Sequence, residues 1–197
     1  MSIESSNVTG LILAGGRGSR MGGVDKGLQL FRGAPMALHA IMRLSPQVGP
    51  LIINANQNIG AYEGFGYPVW PDQLGGFEGP LAGLQTGLSH CDTDYLVTAP
   101  CDSPFLPTDL VARLAAALSA DDAELAVAVT EEDGRRQTHP VFCLMQADVL
   151  PSLTAFLQEG ERKIEKWYRS LRFVEVVFDD ATGFRNINTV DELRRFE

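Results

Sequence analysis

No apolar run in this chain approaches the ~20 residues that a membrane-spanning helix needs. Cysteine is scarce: Cys91, Cys101 and Cys143 are the three present. An odd number at wide spacing makes neither a disulfide framework nor a zinc site. The histidines, His39, His90 and His139, are equally isolated and form no ligand pair. Basic residues are outnumbered, 16 Lys and Arg against 25 Asp and Glu, for a net charge of −9. That balance withholds the basic face a general nucleic-acid binder requires. The first residues, Met1 to Asn7, lack the basic and apolar regions of a secretory signal. They are expected to form a flexible tail ahead of one domain, residues 8–197, in a cytoplasmic protein. A hydrophobic fraction of 45% with 21% charged residues suits a soluble globular chain of that size.

Glycine, by contrast, is concentrated where it counts. Val8 to Ala14 reads as a buried strand, and it breaks into a loop, Gly15 to Gly27, rich in glycine and carrying Arg17, Arg20 and Lys26. Glycines let backbone N–H groups turn inward around an anion, because no Cβ blocks the approach. A strand feeding such a loop is a phosphate-binding arrangement at the carboxyl edge of a sheet. In so acidic a chain its positive charge must act locally, and a divalent cation is expected to help.

Two common phosphate loops are excluded. A Walker loop needs Gly-Lys followed by Ser or Thr, whereas Lys26 follows Asp25 and precedes Gly27. A dinucleotide fingerprint needs a third glycine where Met21 stands. The next apolar strand ends in Asn54 and Asn56, with no carboxylate for a ribose diol.

The rest of the chain alternates strands and helices. Met36 to Leu44 has helical spacing, and Leu51 to Ile53 is a second buried strand delivering Asn54. Strand, helix, strand implies a parallel right-handed crossover. Ile59 to Pro71 is expected as a loop with one short strand around Val69, pointing at Asp72. Gly79-Pro80 opens a helix with Leu81, Leu84 and Leu88 on one face; its free N–H groups suit an anion. Tyr95 to Ala99 is a third buried strand, running into Pro100-Cys101-Asp102-Ser103-Pro104. There Asp102 either caps a turn or binds magnesium, which takes one or two carboxylates plus substrate phosphates. Cys101 reads as a small buried residue rather than a nucleophile.

Asp109 to Leu118 is predicted helical. Leu125 to Thr130 and Pro140 to Leu144 form a roughly antiparallel pair turned by Asp133-Gly134. Helix follows over 149–171, interrupted near Gly160, then a strand over Phe173 to Phe178. Thr189 is set to cap a terminal helix over 190–196. The expected class is α/β: a doubly wound, Rossmann-like, mostly parallel sheet with a small antiparallel excursion. The glycine loop, Asn54, Asp72 and Asp102 all fall at carboxyl ends of strands, which converge on one crevice in such a sheet. Nucleotide plus metal is the chemistry this implies.

Several of these segments, in the same order, resemble the molybdenum cofactor guanylyltransferases, within the nucleoside-diphosphate-sugar transferase type of nucleotidyltransferase. The segments are Leu13-Ala14-Gly15-Gly16, Arg20-Met21-Gly22-Gly23, Asp25-Lys26-Gly27, Gly79 to Gly83, Pro100 to Pro107 and Asn186-Ile187-Asn188-Thr189. One departure is Val190, where the family often has proline. The resemblance implies that a phosphate of molybdenum-bearing molybdopterin attacks the α-phosphorus of GTP and releases diphosphate. It implies catalytic roles for Lys26, Asp102 and Arg20, with Mg2+ on Asp102. Leu13, Ala14, Gly15, Gly16, Lys26, Asn54, Asp72 and Asp102 would form the nucleotide site, and Asn186 and Asn188 the pterin side. Implied partners are molybdenum-insertion proteins and molybdoenzyme chaperones, with no nucleic acid and no membrane. The cytidylyltransferase of the same cofactor is the nearest competitor. Its loop reads Leu-Ala-Ala-Gly, and Gly15 in place of the second alanine is expected to leave room for a purine. More distant competitors are another small-molecule nucleotidyltransferase and a cofactor carrier without turnover.

Overall fold

The computed structural model describes residues 2–16, 25–73, 79–187 and 192. β1 (Val8–Leu13) is followed by a short hairpin, β2 (Leu30–Phe31) and β3 (Ala34–Pro35), and by helix α1 (Met36–Leu44). Then come β4 (Leu51–Asn54), α2 (Ile59–Glu63), β5 (Val69–Trp70), α3 (Pro80–Ser89) and β6 (Tyr95–Pro100). The remainder is α4 (Leu110–Ala120), β7 (Leu125–Glu132), β8 (Arg135–Gln146), α5 (Leu150–Gln158), α6 (Ile164–Tyr168) and β9 (Phe173–Phe178).

Seven strands form one sheet in the order β5-β4-β1-β6-β8-β7-β9. β8 pairs antiparallel with both β6 and β7, and the other pairings in this sheet are parallel. The expected antiparallel excursion is therefore a single strand inserted between parallel neighbours. Its turn is made by Asp133 (φ 49°) and Gly134 (φ 72°), the two positive-φ positions of a type I′ hairpin. Both strands run further than the apolar pattern indicates, because their outer residues, such as Glu132 and Arg135, are exposed and polar.

β1 is the centre of the winding. Its chain leaves through α1 to β4 on one side, and α3 brings the chain back to β6 on the other. The alternation along β1 sorts the two layers, since successive side chains point to opposite faces. Val8 and Ile12 meet α1 and α4 through Ile41, Leu44, Leu110 and Leu114. Leu11 packs with Leu84 and Leu88 of α3, Leu153 of α5 and Trp167 of α6. These side chains are almost fully buried, each worth about 1.5–3 kcal/mol against leaving it in water.

One local expectation changes. The 59–71 stretch contains helix α2, which buries Tyr62. Its sequence hides this, because Gly60 is a poor helix former and the helix is a little over one turn. The interruption expected near Gly160 in the 149–171 helix is present: α5 and α6 are separated by residues 159–163, with Gly160 at φ +85°. Ser5 to Asn7 forms a 3-10 turn, and the Asn7 side chain donates to Asp94 at 2.7 Å. The terminal helix with its Thr189 cap lies outside the described residues, residue 192 apart. Among the described residues no helix is long and apolar enough to cross a membrane.

Candidate active site

The carboxyl ends of β4, β1 and β6 are stitched side by side. Ala14 N–H donates to the Asn54 carbonyl at 2.8 Å, and Cys101 N–H donates to that of Leu13 at 3.0 Å. This is the switch point of the sheet, where successive connections leave in opposite directions and a crevice opens. A cavity of about 310 Å3 lies there, lined by Leu13, Ala14, Gly15, Gly16, Lys26 and Asn54, with Asp72, Asp102, Asn186 and the start of α3 completing it. Every site residue expected from the sequence that falls within the described chain lines this one cavity. Arg20 and Asn188, the other two, and Arg17 lie outside the described residues.

On the β4 side three polar residues lock together. The Asp72 carboxylate accepts from the Asn54 amide and from the Asn56 amide, each at 2.9 Å. Asn56 in turn donates to the Gly15 carbonyl at 3.1 Å and accepts from Asp72 N–H at 2.8 Å. Asn54 is buried, and its side chain also donates to the Trp70 carbonyl at 3.1 Å. A Cβ on Gly15 would stand 2.8 Å from Asn54 Oδ1 and 2.8 Å from Asn56 Nδ2. The space expected at Gly15 for a purine is thus filled by two amides; at Gly16 no atom of the described residues lies within 4 Å. Gly83 of α3 backs the same Asn54 oxygen from the other side. Asn54 is a keystone between loop and helix.

On the β6 side the Lys26 ammonium lies 3.7 Å from Asp102 Oδ2, and both side chains are largely shielded, at 22% and 13% exposure. Burial raises the Asp102 pKa above the usual aspartate value, and the charge of Lys26 opposes that rise. Asp102 is also tied to the C-terminal segment: its carbonyl accepts from Ile187 N–H at 2.9 Å. Next to it, Ser103 Oγ donates to Asn186 Oδ1 at 2.6 Å. Cys101 is buried and its thiol pKa is pushed well up, by burial first and then by the charges of Asp102 and Asp25. A thiol held protonated in this way is no nucleophile.

Among the described residues no group of three or more His, Cys, Asp or Glu side chains converges to hold a metal. A largely shielded carboxylate beside the Lys26 ammonium nonetheless fits magnesium, which keeps several waters and takes one or two carboxylates plus substrate phosphates.

Sequence reasoning missed three features. Asn56 completes the clamp on Asp72. Asp25 anchors the turn bearing Lys26 by contacts across the fold. A second cavity of about 590 Å3, lined by Thr138, His139, Phe142, Phe184 and Arg185, shares Val141 and Asn186 with the first. His139 stacks on Phe184 with ring centroids 4.7 Å apart. An isolated histidine carries no signal in the sequence; only the β7–β8 hairpin brings it here.

Fold and site together define a nucleotide-handling α/β enzyme of the nucleotidyltransferase type. Similar folds include molybdopterin-guanine dinucleotide biosynthesis protein A from Archaeoglobus fulgidus, with a TM-score of 0.76 at 22% identity over 96% of each chain. CMP:2-keto-3-deoxy-manno-octonic acid synthetase in complex with CTP aligns at a TM-score of 0.75 and 15% identity, again over 96% of each chain. The chain belongs to the MobA-like NTP transferase domain family, which matches residues 10–175. The molybdenum cofactor guanylyltransferase of Cupriavidus necator is 64% identical over 196 residues, 99% of this chain and 98% of its own. That of Bordetella petrii is 58% identical over 193 residues, 98% of each chain.

Proposed function

We infer that this protein transfers GMP from GTP to molybdenum-bearing molybdopterin, forming the guanine dinucleotide cofactor and diphosphate, in the cytoplasm. The observation that carries the reading is the placement of the Lys26–Asp102 pair in a cavity that shares Asn186 with a second, larger one. Two substrates that react end to end need two adjoining cavities with charge control at their junction. The first suits the nucleoside triphosphate. The second, with an aromatic stack and polar walls, suits a planar heterocycle bearing a phosphate.

In the transfer a phosphate oxygen of the acceptor forms a bond to the α-phosphorus of GTP, and the bond from that phosphorus to diphosphate breaks. The protein contributes position and charge rather than covalent chemistry. Backbone N–H groups at Gly15 and Gly16 and in the first turn of α3 would face the phosphates. Lys26 leaves Asp102 for phosphate oxygens and stabilises the charge that accumulates there. Asp102 is the carboxylate that would hold magnesium; when bound, the ion polarises phosphate oxygens as a Lewis acid. Asn186, fixed by Ser103, holds the acceptor against the junction. Asp72 and Asn54 support the nucleoside end.

The test is triphosphate selectivity with molybdopterin as acceptor. GTP should be consumed in strong preference to ATP, CTP and UTP, by ~10⁴ where the site reads the base through buried hydrogen bonds. Equal or better use of CTP would overturn the guanylyl assignment and leave nucleotidyl transfer standing.

A further inference from the structure

Lys26 is held by a device that lies outside the cavity's charged pair. Its turn, a 3-10 segment over Lys26–Leu28, is capped by Asp25, whose Oδ1 accepts from Gly27 N–H at 3.2 Å. The same Oδ1 accepts from the Tyr62 hydroxyl at 2.6 Å, and Oδ2 accepts from the Asn58 amide at 3.0 Å. Tyr62 is completely buried in the core beneath α1 and α4. Gly27 is pressed against this anchor: a Cβ there would collide with the Tyr62 hydroxyl and stand 3.1 Å from Cys101 Sγ. Asn58 is in the left-handed conformation, φ 50°, as the residue before α2. So α2 presents two donors to one carboxylate, and that carboxylate fixes the backbone on both sides of Lys26.

A lysine side chain has four rotatable carbons and a strongly hydrated head, so its usefulness at a phosphate depends on where its Cα is held. Loss of about 1 Å in placement is worth as much as 10²-fold in rate. The contacts of Asp25 with α2 are out of proportion to a surface cap. A turn cap needs only its own N–H bond, which Gly27 already supplies.

We propose that Asp25, Tyr62 and Asn58 form a positioning relay: α2 reads into the nucleotide site through Asp25 and sets the place of the Lys26 ammonium. Tyr62 and Asn58 touch no substrate. They act through Lys26 alone, and the proposal rests on the reading of Lys26 as a triphosphate-binding residue.

The experiment is a double-mutant cycle on triphosphate affinity, read by calorimetry with magnesium-GTP and, in parallel, magnesium-CTP, so that base choice does not decide the outcome. Tyr62→Phe should weaken binding of the preferred triphosphate about 10-fold in the parent, and less than about 2-fold in a Lys26→Ala background, since coupled residues are non-additive. Asn58→Gly keeps the left-handed backbone and removes the amide. It should show the same coupling even if Tyr62→Phe proves poorly folded. Melting temperature is measured alongside for every variant. Equal losses in the two backgrounds would show that Tyr62 and Asn58 are merely structural, and would overturn the relay while leaving Lys26 in place. No loss on Lys26→Ala itself would overturn the relay together with the reading of Lys26 beneath it.

Discussion

Lys26 and Asp102 stand 3.7 Å apart, the one on the loop that leaves β1 and the other on the loop that leaves β6. The charge of Lys26 opposes the effect of burial on Asp102. In the proposed reaction phosphate draws on the ammonium and a cation draws on the carboxylate, so that substrate separates the pair.

Lys26→Ala removes the charge from the phosphates and should leave the fold intact, because the backbone of the turn is held by Asp25. Turnover is expected to fall ~100–1,000-fold, the usual cost of one electrostatic contact to a transferring group in a dry site. Steady-state kinetics on the folded variant check this, and near-normal turnover would contradict it.

Asp102→Asn keeps the shape and removes the charge. Magnesium-dependent activity should collapse, and the magnesium titration curve should lose its saturating phase. An unchanged curve would make the carboxylate purely structural. Stability should move the other way. A carboxyl whose folded pKa is raised favours folding while protonated, and that contribution is lost as pH rises through the folded pKa. Above that pH the asparagine variant is expected to melt no lower than the parent.

The raised Asp102 pKa also sets a pH dependence. Only the ionised carboxylate binds a hard cation, so magnesium affinity should climb with pH through a window above the usual aspartate value of 3.8. Lys26 opposes the rise, and Lys26→Ala should therefore move the window to still higher pH. Magnesium binding measured across acidic pH in both proteins tests the sign. A shift to lower pH would contradict it.

Gly15→Ala and Gly83→Ala both aim a methyl group at the Asn54 side chain, which its bonds to Trp70 and Asp72 keep from yielding. Each variant is expected to weaken triphosphate binding by about 10-fold or more and to lower stability by roughly 1–3 kcal/mol, the range for overpacking. Gly16→Ala, where no atom of the described residues lies within 4 Å, is the control and should be stable. Normal stability of Gly15→Ala would show that the clamp gives way easily.

Much of the sheet was legible because its strands are apolar runs stopped by glycine, proline or asparagine, as in Leu51 to Asn54 and Tyr95 to Pro100. The Asp133-Gly134 turn was readable from its backbone demand alone. Asn54, Asp72 and Asp102 could be placed together because parallel strands end on one edge. What could not be read depends on contacts between distant residues. Tyr62 lies in a segment whose glycine disguises a helix, 37 positions from its partner Asp25. The amide filling of Gly15 follows from the inward turn of Asn54 and Asn56, which no local pattern records.

The most direct test of the account supplies α-phosphate-labelled GTP and molybdopterin to the purified protein with magnesium and follows the label by mass-resolved chromatography. The account predicts label in a molybdopterin guanine dinucleotide, with one diphosphate released for each molecule formed. Tight binding of both substrates with all label remaining in GTP would contradict it, and would mark the protein as a carrier rather than a transferase.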